Sequence, residues 1–191
     1  MFGFLYRFFF TRLGGSIKGD WPRDVKKYII VVAPHTSNWD FMIGLCVRSM
    51  TNLKSGFLGK KELFRFPFGW LFRKLGGHPV ERSKSTNFVD AVVKIINKED
   101  EFVVAIAPEG TRKYNPTWKT GFFYIAQNAG IPIVLVAIDF PSKSVIIRDP
   151  LIVEGEVQPF ISELQHWFSG FQGKNPELGV ISPKSDSDNE D

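Results

Sequence analysis

The sequence predicts an α/β fold, with a mixed, largely parallel sheet flanked by helices on both faces. Three observations carry that expectation. Unbroken, short, β-branched runs at 28–33 (YIIVVA), 101–107 (EFVVAIA) and 131–140 (IPIVLVAIDF) look like strands covered on both sides rather than strands with one wet face. Between them, apolar residues recur at helical spacing, most clearly Phe88, Val89, Val92, Val93 and Ile96 within 86–98. Gly and Pro separate the two kinds of segment.

The elements follow in order. A strand at 28–33 gives way to a polar turn and then a helix from about 38 to 50, with Ser37 as its N-cap. A second strand is expected at 55–60. It runs into KKELFRFPFGWLFRKLGG (60–77), which Pro67 divides into two short helical pieces that end at Gly76-Gly77. HPVERSK (78–84) is a strand end plus loop, and the helix at 86–98 is capped by Ser85 or Thr86. After the strand at 101–107 comes a long polar loop, 108–119, then a helix stopped by Gly130. Strands at 131–140, 144–150 and 151–155 precede an amphipathic helix at 157–171, and the polar end 182–191 carries no packing signal.

With 191 residues and 43 % hydrophobic content the chain can build one domain around its own core. The 19 Phe are in the main core residues. The single cysteine, Cys46, excludes an internal disulfide and a Cys-rich zinc site, and its neighbours Leu45 and Val47 mark it as an inert core thiol. The three histidines show no metal-ligand spacing, so no metal is expected, and His166 beside Trp167 reads as a satisfied helix residue.

The net charge is +4, unevenly spread: from Phe171 onward Lys174 and Lys184 face Glu177, Asp186, Asp188, Glu190 and Asp191, leaving +7 on the rest. A basic body suits phosphate, lipid head groups or nucleic acid, or is merely a solvated surface; charge alone leaves these open. The opening MFGFLYRFFF is too short for a spanning helix, which needs about 20 apolar residues. It lacks the layout of a secretory signal. Aromatic bulk interleaved with Arg7, Arg12 and Lys18 suits a membrane interface; the competing reading is a helix docked on the protein's own core.

Two polar loops sit where α/β sheets place their sites, beyond the carboxyl ends of strands. In APHTSNWDF (33–41), His35 and Asp40 cannot share a helix face, because five residues turn 140° past a full rotation. They meet only if His35 precedes the helix and Asp40 reaches back from its first turn. A carboxylate on one imidazole nitrogen leaves Nε2 free as a general base. Ser37-x-x-Asp40 is equally a capping box, although capping does not explain His35. The second loop, Pro108-Glu109-Gly110-Thr111-Arg112, is a turn that offers backbone and hydroxyl donors and a guanidinium fork suited to phosphate. A third cluster, GHPVER (77–82), brings Arg82 to the end of an apolar segment.

Taken in order, PHTSNWD, GHPVER, APEGTR and GIPIVLV resemble the four motifs of the glycerolipid acyltransferases, the 1-acylglycerol-3-phosphate (lysophospholipid) acyltransferase family. The resemblance runs from about Tyr28 to Ile138 and includes GKKEL (59–63). Three positions depart from the family pattern: Pro34 for Asn, Ala107 for an aromatic, and a less apolar 77–79.

The resemblance implies an acyltransferase domain over 21–172; composition adds a membrane-interface segment over 1–20 and an acidic, disordered tail over 173–191. It implies that His35 is the general base and Asp40 its orienting partner. Arg82, Arg112, Gly110 and Thr111 would hold the acceptor's phosphate with Glu109 in support, and Lys60 would be a further phosphate contact. The donor is a fatty acyl thioester, acyl-CoA or acyl-carrier protein, with no tightly bound cofactor. No enzyme nucleophile is needed, which agrees with the absence of a GxSxG motif. The partners are a lysolipid acceptor and the membrane surface, peripherally and on the cytoplasmic face, with no nucleic acid. The acceptor expected first is 1-acylglycerol 3-phosphate, giving phosphatidate. Another lysolipid, or binding of anionic lipid without turnover, are the alternatives.

Overall fold

The computed structural model describes residues 3–80 and 85–181. Among these, seven strands form one sheet in the order β1-β7-β6-β2-β5-β3-β4. The strands are β1 (Ser16–Lys18), β2 (Lys27–Ala33), β3 (Gly56–Lys60), β4 (Gly77–Val80), β5 (Phe102–Ile106), β6 (Ile133–Asp139) and β7 (Ser144–Ile147). The helices are α1 (Gly3–Arg12), α2 (Asn38–Thr51), α3 (Gly69–Lys74), α4 (Ser85–Lys98), α5 (Gly121–Ala129) and α6 (Val157–Phe168). From β6 to β4 every neighbour pairs in parallel, while β7 runs antiparallel to β6 and β1 parallel to β7. The sheet is therefore mixed and largely parallel, as expected.

The unbroken apolar runs are the central strands, because each has a helical layer on both sides. On one face Ile29, Val31 and Ala33 of β2 join Val104, Leu135 and Ala137 under Val92 and Ile96 of α4, Phe122, Phe123 and Ile125 of α5, and Leu164 and Phe168 of α6. On the other, Tyr28 and Ile30 meet Val134, Val136 and Val145 beneath Val47 of α2, with Phe10 of α1 packed against them. Each fully buried Ile, Leu or Phe in these layers contributes about 1.5–3 kcal/mol relative to exposure. Phe57 of β3 extends the second layer edgewise to Phe41 of α2 and Phe72 of α3, with centroids 5.5 and 6.5 Å apart.

Three stretches differ from the sequence expectation. Residues 16–18, assigned to the N-terminal segment, form β1 at the sheet's edge. The strand expected over 151–155 reduces to a bridge between Leu151 and Ile133. Residues 173–181, assigned to the tail, are folded onto the body: Gly173 is buried and Asn175 hydrogen-bonds to Thr36. Residues 182–191 lie outside the described residues. In the N-terminal segment, α1 packs on α2 and Phe10 reaches the second core layer, so part of this helix docks on the protein itself.

Candidate active site

β2 and β5 are parallel neighbours, in register from Lys27 opposite Phe102 to Val31 opposite Ile106, so their carboxyl ends open on one edge of the sheet. β2 delivers His35 there, through a cis Ala33–Pro34 peptide, and β5 delivers Pro108 and Glu109. The two loops are joined directly: the His35 backbone N–H donates to both carboxylate oxygens of Glu109, at 3.0 Å each.

His35 stands before α2, and Asp40 occupies the helix's first turn. One oxygen, Asp40 Oδ2, accepts the backbone N–H of Thr36 at 2.9 Å and of Ser37 at 2.8 Å, and it lies 3.2 Å from His35 Nδ1. The Ser37 side chain accepts from the backbone of Trp39, completing a capping box. The capping and orienting readings of Asp40 are thus one arrangement: a helix cap whose carboxylate also takes an imidazole N–H. Because Nδ1 faces a carboxylate, it carries the proton and Nε2 is left as the basic nitrogen. The Asp40 side chain is 1 % exposed and that of His35 21 %. The acid is sealed in, then, while the ring reaches solvent.

Glu109 supports the site from within: it is only 4 % exposed, and both of its carboxylate oxygens accept the His35 backbone N–H. Glu109 therefore braces the histidine loop. Burial pushes its carboxyl up to about 7, opposed by the His35 N–H. Past it, Gly110 adopts φ +69°, a left-handed turn conformation that suits glycine, and its N–H is committed to the Ala107 carbonyl at 3.1 Å. Thr111 Oγ1 accepts from the Lys113 N–H at 3.2 Å, leaving its own proton available to a ligand. Asn115 Nδ2 donates to the Glu109 carbonyl at 2.7 Å, closing the loop beneath the exposed Arg112. Arg82 and the side chain of Lys60 lie outside the described residues, though β3 and β4, which lead to them, are parallel to β5 and end at the same edge.

A clasp from residues 173–175, with no mark in the sequence, closes on the histidine loop. Asn175 Nδ2 donates to the Thr36 carbonyl at 2.8 Å, and its backbone N–H donates to Thr36 Oγ1 at 3.2 Å. Gly173 lies so close that an added Cβ would stand 2.5 Å from Thr36 Oγ1. The same segment walls a cavity of ≈ 250 Å³ beside Glu109, together with Tyr114 and Trp118. No periodicity marks a contact between residues 139 positions apart.

A largely parallel sandwich that sets a His–Asp pair at one strand end and a Pro-Glu-Gly-Thr-Arg turn at the next defines an acyltransferase-type α/β domain. The acyltransferase family model matches residues 17–139, and the chain belongs to that family. It is 33 % identical over 129 residues to the 1-acyl-sn-glycerol-3-phosphate acyltransferase of Saccharomyces cerevisiae, covering 63 % of this chain and 41 % of that protein. It is 31 % identical over 144 residues to the Haemophilus influenzae protein of the same name, covering 71 % and 57 %, and 28 % identical over 132 residues to the Escherichia coli one, covering 65 % and 53 %. The chain spans about half the length of these curated relatives. The fold is similar to that of the crystal structure of PlsC, a 1-acyl-sn-glycerophosphate acyltransferase from Thermotoga maritima, with a TM-score of 0.53 at 20 % identity over 85 % of this chain and 78 % of that one.

Proposed function

We propose that the protein is an O-acyltransferase. It moves a fatty acyl group from a thioester, acyl-CoA or acyl-carrier protein, to the free hydroxyl of 1-acylglycerol 3-phosphate, giving phosphatidate. The observation that carries this reading is the 3.2 Å approach of His35 Nδ1 to Asp40 Oδ2, which leaves Nε2 basic on a ring that reaches solvent. The names of the relatives favour this acceptor.

In the reaction His35 Nε2 takes the proton of the acceptor hydroxyl while its oxygen attacks the thioester carbonyl. The tetrahedral adduct collapses, the C–S bond breaks, and the leaving thiolate takes the proton back from the imidazolium. Asp40 holds the ring's tautomer and balances the passing positive charge. Arg112, exposed and three residues beyond Glu109, grips the acceptor's phosphate with Thr111, and Arg82 and Lys60 complete the anion site. General-base help supplies about 10²–10⁴-fold, so the rest comes from aligning hydroxyl and thioester.

The protein works peripherally at the cytoplasmic membrane face, where thioester donors meet lipid acceptors. Among the described residues no helix is long and apolar enough to cross a membrane. The deciding experiment offers a panel of lysolipids with both donor types and reads products by mass spectrometry. Transfer to 1-acylglycerol 3-phosphate, absent in His35→Ala, is expected; a blank panel would overturn the enzymatic reading in favour of lipid binding alone.

A further inference from the structure

Residues 61–74 form a short 3₁₀ turn (Lys61–Phe64), a loop and α3, laid on the sheet beside α2. The segment has an inward face that the fold explains. Phe64 is buried, its ring 6.2 Å from that of Phe72, and Phe72 in turn meets Phe57. Gly69 sits so near the Phe64 carbonyl that a Cβ there would stand 1.9 Å from its oxygen, which fixes the tight fold-back. The outward face is what the fold does not explain.

A surface segment normally turns polar residues outward. This one turns out Leu63, Phe66, Phe68, Trp70 and Leu71, five of the fourteen large exposed hydrophobic side chains among the described residues, within nine positions. Phe66 is 97 % exposed and Trp70 65 %. Among them stands the exposed cation Arg65, and just past them the exposed Arg73 and Lys74, against the single acid Glu62. Trp and Phe between Arg and Lys are what the boundary of an anionic bilayer takes: rings enter the head-group and upper acyl region while guanidinium and ammonium groups stay with the phosphates. A protein partner would supply acids at fixed points, whereas a sheet of anionic head groups needs only this mixed texture of rings and cations; the hollow in it, bounded by Lys61, Phe64, Arg65, Arg73 and Pro79, is itself lined by three cations.

Position agrees with that occupant. The segment leaves β3 at its carboxyl end, the edge at which parallel neighbour β5 releases Pro108-Glu109 and β2 releases His35. Trp39 and Met42, on the first turns of α2 just past the histidine, are also exposed. We propose that residues 63–71 are a docking face for the surface of an anionic phospholipid bilayer. The proposal rests on the membrane-associated reading above and gives it a contact face separate from α1. Docked in this way, the mouth of the His35 site faces the leaflet that holds a lipid acceptor.

The test is flotation of the full chain with phosphatidylcholine vesicles, with and without phosphatidylglycerol. Wild type should float with the anionic vesicles. Phe66→Ser/Trp70→Ser should lower the bound fraction's partition coefficient by roughly tenfold or more, with the control Ile152→Ser, exposed elsewhere, unchanged. Arg65→Ala/Lys74→Ala should weaken binding only to the anionic vesicles. If the double aromatic variant does not fold by thermal unfolding, Phe66→Ser alone carries the test. Equal binding of wild type and the aromatic variant would overturn this face while leaving membrane association standing; failure of wild type to float would overturn both. A wild-type dimer in light scattering that the aromatic variant returns to monomer would also overturn it, showing a face between copies of the chain.

Discussion

Asn175 holds Thr36 at two points, its side-chain amide on the Thr36 carbonyl at 2.8 Å and its backbone N–H on the Thr36 hydroxyl at 3.2 Å. Thr36 is the neighbour of His35, and its own N–H is bound by Asp40. The histidine loop is therefore held from three sides: by Asp40 from within α2, by Glu109 from the next loop, and by Asn175 from the end of the chain.

Asn175→Ala removes one hydrogen bond to a buried carbonyl, which costs about 1 kcal/mol. A small fall in Tm is expected together with a kcat loss of roughly tenfold, because slight misplacement of a catalytic base is expensive. The acceptor KM should hardly move, since the phosphate grip lies in another loop. Gly173→Ala forces a methyl against Thr36 Oγ1 and should be worse on both counts. Steady-state kinetics beside thermal unfolding reads both; unchanged kcat in Asn175→Ala would show that the loop holds itself.

Truncation separates the tail from the clasp. Ending the chain after Ile181 removes only the polar, acidic stretch 182–191 and should leave Tm and activity as they were. Ending it after Phe171 removes the Gln172, Gly173 and Asn175 contacts, including the Gln172 N–H donated to Asp139 at 3.0 Å and the Phe140 N–H to Gln172 carbonyl bond at 2.9 Å. That chain should lose several kcal/mol of stability by about 1 kcal/mol per bond, measured by denaturant unfolding.

His35→Ala and Asp40→Ala should part company. The His35 side chain is 21 % exposed and its removal takes away one contact to Asp40, so stability should fall by about 1 kcal/mol while activity falls about 10²–10⁴-fold. Asp40 is buried and accepts two backbone N–H groups as well, so its loss should take activity down and cost about 2–3 kcal/mol besides. Parallel assays and melts decide; a stable, inactive Asp40→Ala would remove its capping role.

The central strands were legible because burial on both faces writes itself as unbroken Val and Ile. The His35–Asp40 relation was legible because it is local, a cap and its neighbour within six residues. β1 was not, since three residues between glycines become a strand only through β7, which lies more than 120 residues away. Nor was Asn175, whose role depends on where α6 lets the chain return. Glu109 was legible only in part: sequence shows a loop carboxylate near an arginine, and only the fold shows that Glu109 is buried on the His35 N–H while Arg112 is exposed.

Arg112→Ala should raise the KM for a phosphate-bearing acceptor, on the order of tenfold, and by more than it lowers kcat if the guanidinium binds ground and transition states alike. An acceptor without the phosphate should not feel the change. Kinetics with the two acceptors checks this, and an unaltered KM for the phosphate lipid would take Arg112 out of the site.

Glu109 makes stability depend on pH with a definite sign. In the unfolded chain its carboxyl ionises near 4.5; burial moves it in the folded protein to about 7. Between those values the folded state keeps a proton that the unfolded state has released, so this group's contribution to stability falls as pH rises through the window and then levels off. The whole effect is about 3 kcal/mol. Glu109→Gln has no proton to release and still offers the His35 N–H a carbonyl oxygen. Its Tm relative to wild type should therefore climb from about pH 5 to about pH 8, in calorimetry scans of both proteins in matched buffers. Other groups titrate in both proteins and cancel in the difference. A Tm difference that stayed flat across that range would mean that Glu109 is ionised throughout, held so by the His35 N–H against the cost of its burial.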